Sequence, residues 1–340
     1  NNFGNVTRTG ANASIQRFNF DNHNKSHLLK FGADIYINDK NTLSFYTTQN
    51  FFDGDGFGST IITQNNAITT NARNVQLQEN KSGTYNVNYK IDFEKEGHNL
   101  EFEANYSKTD SPEDATNSDL ISPNNKELNY FNTITNNRNN TLVNLDYTNP
   151  VSKEGKLELG LEYRANNTAN INLTDQTGNA NSSFDYDRKI YSGYVNYGHK
   201  FGKLTMQLGA RLEQYEIDGI FNQTGENTEN VTDNIFSIYP STFFTYAASE
   251  KNQWQLSYSR RVDRPNIQQV NPIREWSTPL ITSIGNENLA PQFTNSLELN
   301  YTRRIKNGSL TFGTFYRKIN DVISRVTYAD PSDTNNVRQI

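Results

Sequence analysis

The chain has 340 residues, a net charge of −5 and no cysteine, which excludes disulfide frameworks and thiolate metal sites. Its charges are mixed along the chain without a basic stripe, and this argues against nucleic-acid binding. The mean hydropathy is −0.82, and no apolar run approaches the ~18 residues of a membrane-spanning helix, so helical membrane spans are not expected.

Six short turns recur along the chain at intervals of about 50 residues. They lie near residues 38–41, 94–98, 149–155, 200–203, 249–252 and 305–308. We predict a descending strand before each turn and a rising strand after it, followed by a longer polar segment. The predicted descending strands are 12–37, 72–93, 125–148, 184–199, 233–248 and 291–304. The predicted rising strands are 42–51, 99–109, 156–166, 203–217, 253–263 and 309–320.

Apolar and polar residues alternate within these strands. After the third turn, Leu157, Leu159 and Leu161 alternate with Glu158 and Glu162. A period of two is that of a strand, because successive side chains point to opposite faces of a sheet. Short turns at one end and long segments at the other are typical of outer-membrane barrels, in which only alternate residues meet lipid. The sequence therefore predicts an all-β fold, a transmembrane antiparallel up-and-down β-barrel.

Several aromatic residues lie beside the short turns, where they suit the aromatic girdle of a membrane interface. These residues are Phe93, Tyr147, Tyr197, Phe201, Tyr246, Trp254 and Tyr301. The alternative explanation is the ordinary enrichment of aromatic residues in strands.

The topology indicates how much of a complete barrel is formed by residues 1–340. If the long segments lie outside the cell, residues 1–11 and 328–340 are both outer loops. We therefore expect about twelve strands that form the middle part of one larger barrel, with terminal strands outside this chain.

A motif-like stretch occupies residues 256–301. It contains Arg264-Pro265, then Asn271-Pro272, then Gly285-Asn286-Glu287-Asn288-Leu289-Ala290-Pro291-Gln292 before a descending strand. This stretch resembles the barrel of TonB-dependent outer-membrane receptors, particularly the Bacteroidetes-type outer-membrane β-barrel family, which has a proline and a glutamate where this chain has Glu287 and Gln292.

The resemblance implies a ~22-stranded barrel with a plugged lumen in the bacterial outer membrane. It implies import of a scarce large solute, such as a siderophore, glycan or peptide, energised by the TonB complex through a plug domain that is not in this chain. Outer-membrane lipid and a surface lipoprotein are the other partners considered. Two alternatives remain open, a passive porin-like channel and a structural or secretion-associated barrel.

The sequence offers two groups of candidate functional residues. In the predicted outer loop 266–290, Arg274, Glu275 and Trp276 offer a cation, an acid and a stacking surface for a solute. The second group is expected to face the lumen, either as a hydrated ion-pair lining, which is the favoured interpretation, or as contacts to plug or solute. This group comprises Glu158, Glu162, Arg164, Arg211, Glu213 and Glu298.

Catalytic and metal-binding patterns are not expected. No nucleophile is paired with a base in a recognisable motif, so an enzyme is not predicted. Asp53-Gly54-Asp55-Gly56 resembles the start of a calcium loop, but Phe57 and Gln64 occupy later ligand positions. We interpret these four residues as a glycine-rich outer-loop turn, and no cofactor is expected.

Overall fold

The computed structural model describes residues 2–9, 13–119, 129–176, 180–273, 275–278, 281–329 and 337–339. Most of these residues form strands. The first strands are β1 Asn2–Arg8, β2 Ser14–Asn38, β3 Asn41–Gln64, β4 Ala67–Asp92, β5 Asn99–Asp110, β6 Pro112–Asp119 and β7 Tyr130–Asn149. The next are β8 Gly155–Thr174, β9 Ser182–Phe201, β10 Leu204–Gln223, β11 Glu229–Ser249 and β12 Asn252–Asp263. A short helix α1 Ile267–Val270 precedes β13 Glu275–Thr278, β14 Ile281–Ser283, β15 Gln292–Ile305, β16 Gly308–Asn320, β17 Thr327–Ala329 and β18 Val337–Gln339.

One antiparallel sheet contains fourteen of these strands, arranged up and down in chain order. Strands β5 and β6 share a single position, because both lie between β4 and β7. Within the described residues, the far side of β16 has no partner strand, nor has β2 beyond the seven residues that pair with β1. A second, smaller sheet has the order β13-β14-β18-β17.

All twelve predicted strands are present, and several are longer than predicted. β3 continues to Gln64 and β8 continues to Thr174. The interpretation of Asp53–Gly56 as a loop turn is wrong, because these residues lie within β3 and pair with both neighbouring strands. Far from the short turns, polar residues interrupt the alternation on both faces, so no continuous pattern reveals the full length of the strands.

The two chain segments that were expected to be outer loops also contain strands. Residues 2–8 form β1, which pairs with the start of β2. Residues 327–329 and 337–339 form β17 and β18, which pair with each other. Both pairs are short, and strands of this length carry too little alternation to be recognised in a polar sequence.

The two faces of the main sheet differ in chemistry over the first eight to ten residues from each short turn. One face, called the apolar face, exposes aliphatic and aromatic side chains such as Leu159, Leu208 and Leu256. The opposite face, called the polar face, carries Glu162 and Glu213, which are aligned through Ser192 between them. Beyond this band, polar and apolar residues are mixed on both faces.

Aromatic side chains line the apolar face at its turn end. Tyr246, Trp254 and Tyr301 are directly opposite one another on three adjacent strands, and the Trp254 and Tyr301 ring centroids are 4.6 Å apart. Near another short turn, the Phe93 and His98 rings lie 4.3 Å apart. This row has the location expected of an interfacial girdle.

The main cluster of buried apolar residues lies on the polar face, near the strand ends that are remote from the short turns. Phe184 and Tyr186 of β9 and Phe221 of β10 pack against Val270 and Ile273 of the segment that follows β12. No helix in the described part of the chain is both long and apolar enough to cross a membrane.

Candidate functional site

A network of ion pairs occupies the polar face across β8, β9 and β10. The guanidinium of Arg211 donates from Nη2 to Glu162 Oε1 at 2.5 Å and from Nε to Glu213 Oε1 at 2.6 Å. Its Nη2 also donates to Ser192 Oγ at 2.8 Å. Arg164 adds a second cation, 3.1 Å from Glu162 Oε1. Glu213 is deeply buried, so its negative charge depends on these cationic partners.

Arg264 extends this network to the segment that follows β12. Its Nη2 donates to Glu213 Oε2 and, at 3.3 Å, to the hydroxyl of Tyr239. The guanidinium also lies over the Tyr215 ring, with Cζ 4.8 Å from the ring centroid. Pro265 restricts the backbone of Arg264 to extended conformations. The Arg264-Pro265 element therefore attaches the chain to the polar face as it leaves β12.

Helix α1 follows at once and is closed by a reciprocal capping box. Asn266 Oδ1 accepts from the Gln269 amide at 3.0 Å, and Gln269 Oε1 accepts from the Asn266 amide at 2.9 Å. Because α1 is a single turn, it gains little stability by itself. The burial of Val270 and Ile273 against β9 and β10 holds it in place.

The Gly285-Asn286 part of the motif contacts the end of α1. The Gly285 amide donates to Asn271 O at 2.8 Å, and the Asn286 amide donates to Gln269 O at 2.7 Å. A Cβ at residue 285 would lie 2.6 Å from both the backbone nitrogen and the backbone oxygen of Asn271. Only glycine fits this approach without a backbone shift.

These contacts change the expectation of an exterior loop at 266–290. Residues 266–273 are folded onto the polar face, because Val270 and Ile273 are apolar side chains that the sheet can bury. Of the proposed solute-binding triplet, Arg274 lies outside the described residues. Glu275 and Trp276 form part of β13, where only the backbone is described. Their role in solute binding stays a prediction.

The six candidate lumen-facing residues lie on the polar face of the main sheet. The structure brings Glu162, Arg164, Arg211 and Glu213 into the one network, whereas Glu158 and Glu298 lie apart from it. Glu158 pairs with Lys156 and accepts from Asn196 Nδ2 at 2.6 Å. Glu298 Oε1 lies 3.4 Å from Arg317 Nη2 at an exposed position.

Sequence reasoning did not assign Arg264 to the network. Its only signal was its place in the Arg264-Pro265 motif. The described residues contain no group of three or more histidine, aspartate or glutamate side chains placed to hold a metal ion.

Comparison with known families shows to which family this chain belongs. Residues 91–340 match the model of the outer membrane protein beta-barrel family. The chain belongs to this family. Its place is accordingly the bacterial outer membrane, and the fourteen-stranded sheet is barrel wall. No curated protein sequence matches the chain.

The fold of this outer membrane beta-barrel protein is similar to the folds of several solved receptors and transporters. It matches the copper transporter OprC with a TM-score of 0.56 at 9% identity, covering 99% of this chain and 55% of that one. It matches the Serratia marcescens hemophore receptor HasR with a TM-score of 0.54 at 11% identity, covering 99% and 56%. For the Pseudomonas aeruginosa ferric enterobactin receptor PfeA the TM-score is 0.51 at 13% identity, covering 99% and 56%.

At these identities the likeness is one of fold. The chain spans just over half the length of each of these solved structures.

Proposed function

We propose that this chain forms part of the wall of a TonB-dependent receptor that imports a scarce large solute across the outer membrane. The observation that carries the proposal is the width of the sheet. Thirteen adjacent strand positions form one continuous wall, and β16 and most of β2 lack a further partner among the described residues. We infer that additional strands complete a wider barrel, consistent with the half-length match to receptors and transporters.

The apolar face is assigned to lipid and the polar face to the lumen. The reverse arrangement would place the ion network in hydrocarbon, where one arginine at the midplane costs about 2–4 kcal/mol. It would also expose the leucines of the apolar face to water. On this assignment, Glu162, Arg211, Glu213 and Arg264 face the interior.

A wide barrel creates a permeability problem. Barrels of 16–18 strands leave an aqueous channel, and those of about 22 strands hold a plug. A plug keeps the membrane barrier intact, but it also blocks diffusion of the solute, so uptake needs energy. We propose that TonB supplies this energy through a plug domain and that the protein acts as a transporter, not as an enzyme.

The proposal specifies only the chemical class of the solute. A siderophore, a glycan or a peptide fits a large polar lumen, and a surface lipoprotein is the proposed capture partner. The Bacteroidetes-type origin indicated by the motif stays a prediction.

The test uses the full-length protein in cells. Accumulation of radiolabelled ferric siderophores, peptides and oligosaccharides is compared in cells with TonB, without TonB, and with a protonophore. Uptake of one solute class should collapse in both treated cultures. The purified protein should also show no steady ion conductance in planar bilayers. Undiminished uptake together with steady conductance would establish the passive-channel alternative.

A further inference from the structure

A cavity lined by amide side chains lies on the polar face, between the wall and the segment that carries α1. It is formed by strands β4, β6, β7 and β8 on one side and by Gln268 and Ile273 on the other. Its volume is about 390 Å³, which lies within the usual ~300–1,000 Å³ range of ligand pockets. None of the six candidate lumen-facing residues lines it.

The position of the cavity suits a ligand that arrives from outside the cell. Asn136 is the cavity-lining residue of β7 nearest the short turns. It lies about 13 residues from the turn end of β7 at Asn149, or about 43 Å along the strand at ~3.3 Å per residue. With a strand tilt of ~35–45°, this distance exceeds the ~25 Å height of a lipid-facing band. The cavity therefore lies beyond the membrane, at the barrel end remote from the short turns.

The lining is dominated by neutral groups that both donate and accept hydrogen bonds. Ten of the sixteen lining residues are asparagine or glutamine. They include Asn74, Gln76, Asn132, Asn170, Asn172 and Gln268. Strand pairing places these amides beside one another on the sheet. For example, Asn136 is opposite Asn170 in the β7–β8 pair. Such a surface matches a ligand that also presents donors and acceptors at many points.

The side-chain oxygens of three of these amides lack partners. The Oδ1 atoms of Asn132, Asn170 and Asn172 are buried and have no hydrogen-bond partner among the described residues. Asn170 is only 5% exposed, so its side chain is held in place by packing. A buried unpaired carbonyl oxygen is costly and needs a donor. The three side chains line the cavity from two adjacent strands, so a rotation of each terminal amide would let one ligand with several hydroxyl groups serve their oxygens together.

The charges of the cavity disfavour an anionic chelate. Among the described residues that line it, none carries a positive charge, so an anionic chelate finds no cation there. Its one carboxylate, Glu113, already accepts from Gln78 Nε2 at 2.6 Å. Tyr130, Ile134 and Ile273 add apolar surface that can cover the C–H face of a sugar ring.

We propose that this cavity binds a neutral oligosaccharide. The inference rests on the proposed import function and names its solute class. A hydroxyl-rich ligand supplies donors to the unpaired oxygens and acceptors for the amide N–H groups at nearly every atom. A peptide is less suitable, because its backbone presents one donor and one acceptor per residue, fewer than the hydroxyl groups of a sugar ring.

The test measures binding of the purified full-length protein to an array of immobilised neutral oligosaccharides of glucose, galactose, mannose and xylose. Ferric catecholate and a neutral alanine–serine peptide serve as the competing probes. The variants are Asn170→Ala and Gln268→Ala, of which the second changes an exposed residue and cannot impair folding through core packing. Asn167→Ala is the matched control, because this amide of β8 bonds Asp187 at 2.6 Å on the opposite face.

We expect saturable binding to one or more oligosaccharides. Each of the two cavity variants should weaken it about two- to tenfold, the loss expected for one hydrogen bond, and Asn167→Ala should leave it unchanged. Binding of the peptide or the ferric catecholate without oligosaccharide binding would overturn the proposal. So would an absence of all binding, or equal losses in Gln268→Ala and Asn167→Ala.

The two proposals fail in different ways. TonB-dependent uptake of a ferric catecholate without oligosaccharide binding would reject the cavity assignment and leave energy-coupled import standing. Oligosaccharide binding accompanied by uptake that persists without TonB would reject energy coupling and leave the cavity assignment standing.

Discussion

Glu213 is the carboxylate on which the polar-face network depends. Its side chain is 7% exposed, and its two cationic partners Arg211 and Arg264 are 29% and 15% exposed. Glu213→Gln keeps the shape of the side chain but removes the negative charge that both guanidinium groups share. Arg211 retains Glu162 as a partner. Arg264 loses the one carboxylate it contacts among the described residues.

The expected loss in the free energy of unfolding follows from the burial of Glu213. Breaking a fully buried ion pair by removing one partner costs about 3–5 kcal/mol, and an exposed pair contributes about 0–1 kcal/mol. The network lies between these limits but nearer the first, because Glu213 itself is almost completely enclosed. We therefore expect Glu213→Gln to lower the free energy of unfolding by about 2–3 kcal/mol.

Glu298→Gln provides the matched control on the same face. Glu298 and Arg317 are 37% and 53% exposed and 3.4 Å apart, so the loss should stay below about 1 kcal/mol. The measurement is urea-induced unfolding of the full-length protein in lipid vesicles. A cycle with Arg264→Met should give a coupling free energy of about 0.5–3 kcal/mol. Equal stability losses in Glu213→Gln and Glu298→Gln would refute the reasoning.

Three further predictions concern the faces, the docked segment and one turn. In intact membranes a water-soluble maleimide should label Gln207→Cys but not Leu208→Cys, since lipid covers the apolar face; preferential labelling of Leu208→Cys would contradict the assignment of the faces. Val270→Asp should place a charge against Phe184 and make residues 264–291 cleavable by protease while heat-modifiable migration is retained; unchanged cleavage would show that apolar packing does not hold the segment. Asn66 has φ 63°, so Asn66→Gly should be tolerated. Asn66→Val should lower the free energy of unfolding by about 1–2 kcal/mol and speed hydrogen exchange in the β3–β4 hairpin. Equal exchange in both variants would argue against a strained turn.

The strands near the short turns could be predicted because lipid and lumen impose opposite demands on alternate residues. Ile171 and Leu173 resume this contrast near the end of β8, but after Ala165 it is interrupted by Asn166, Asn167 and Thr168. Those residues keep the strand through its backbone ladder to β7 and β9, not through a buried apolar face. Hydrogen bonds between side chains, such as Asn167 to Asp187, add to it. Such polar strands have the composition of loops, and their length was therefore not predictable.

The site was less predictable than the wall. Alternation assigns Arg211 and Glu213 to one face, but it says nothing of which residues from distant strands meet them. The contact between Arg264 and Glu213 joins positions 51 apart in sequence and depends on how the chain turns after β12. The amide-lined cavity likewise requires the register of four strands and the docking of α1. A period-two pattern contains neither piece of information.

One departure of the motif from its family pattern, at Gln292, has a local explanation. Gln292 occupies the place of a glutamate, and in the structure it lies directly opposite Asp263 in the β12–β15 pair. Its Nε2 donates to Asp263 Oδ2 at 3.2 Å, while its Oε1 accepts from the Ile323 amide at 3.0 Å. A glutamate there would face a like charge directly across the strands, an arrangement that is destabilising. Glutamine satisfies both neighbours, so in this chain residue 292 connects the start of β15 with the segment after β16, and its role is structural.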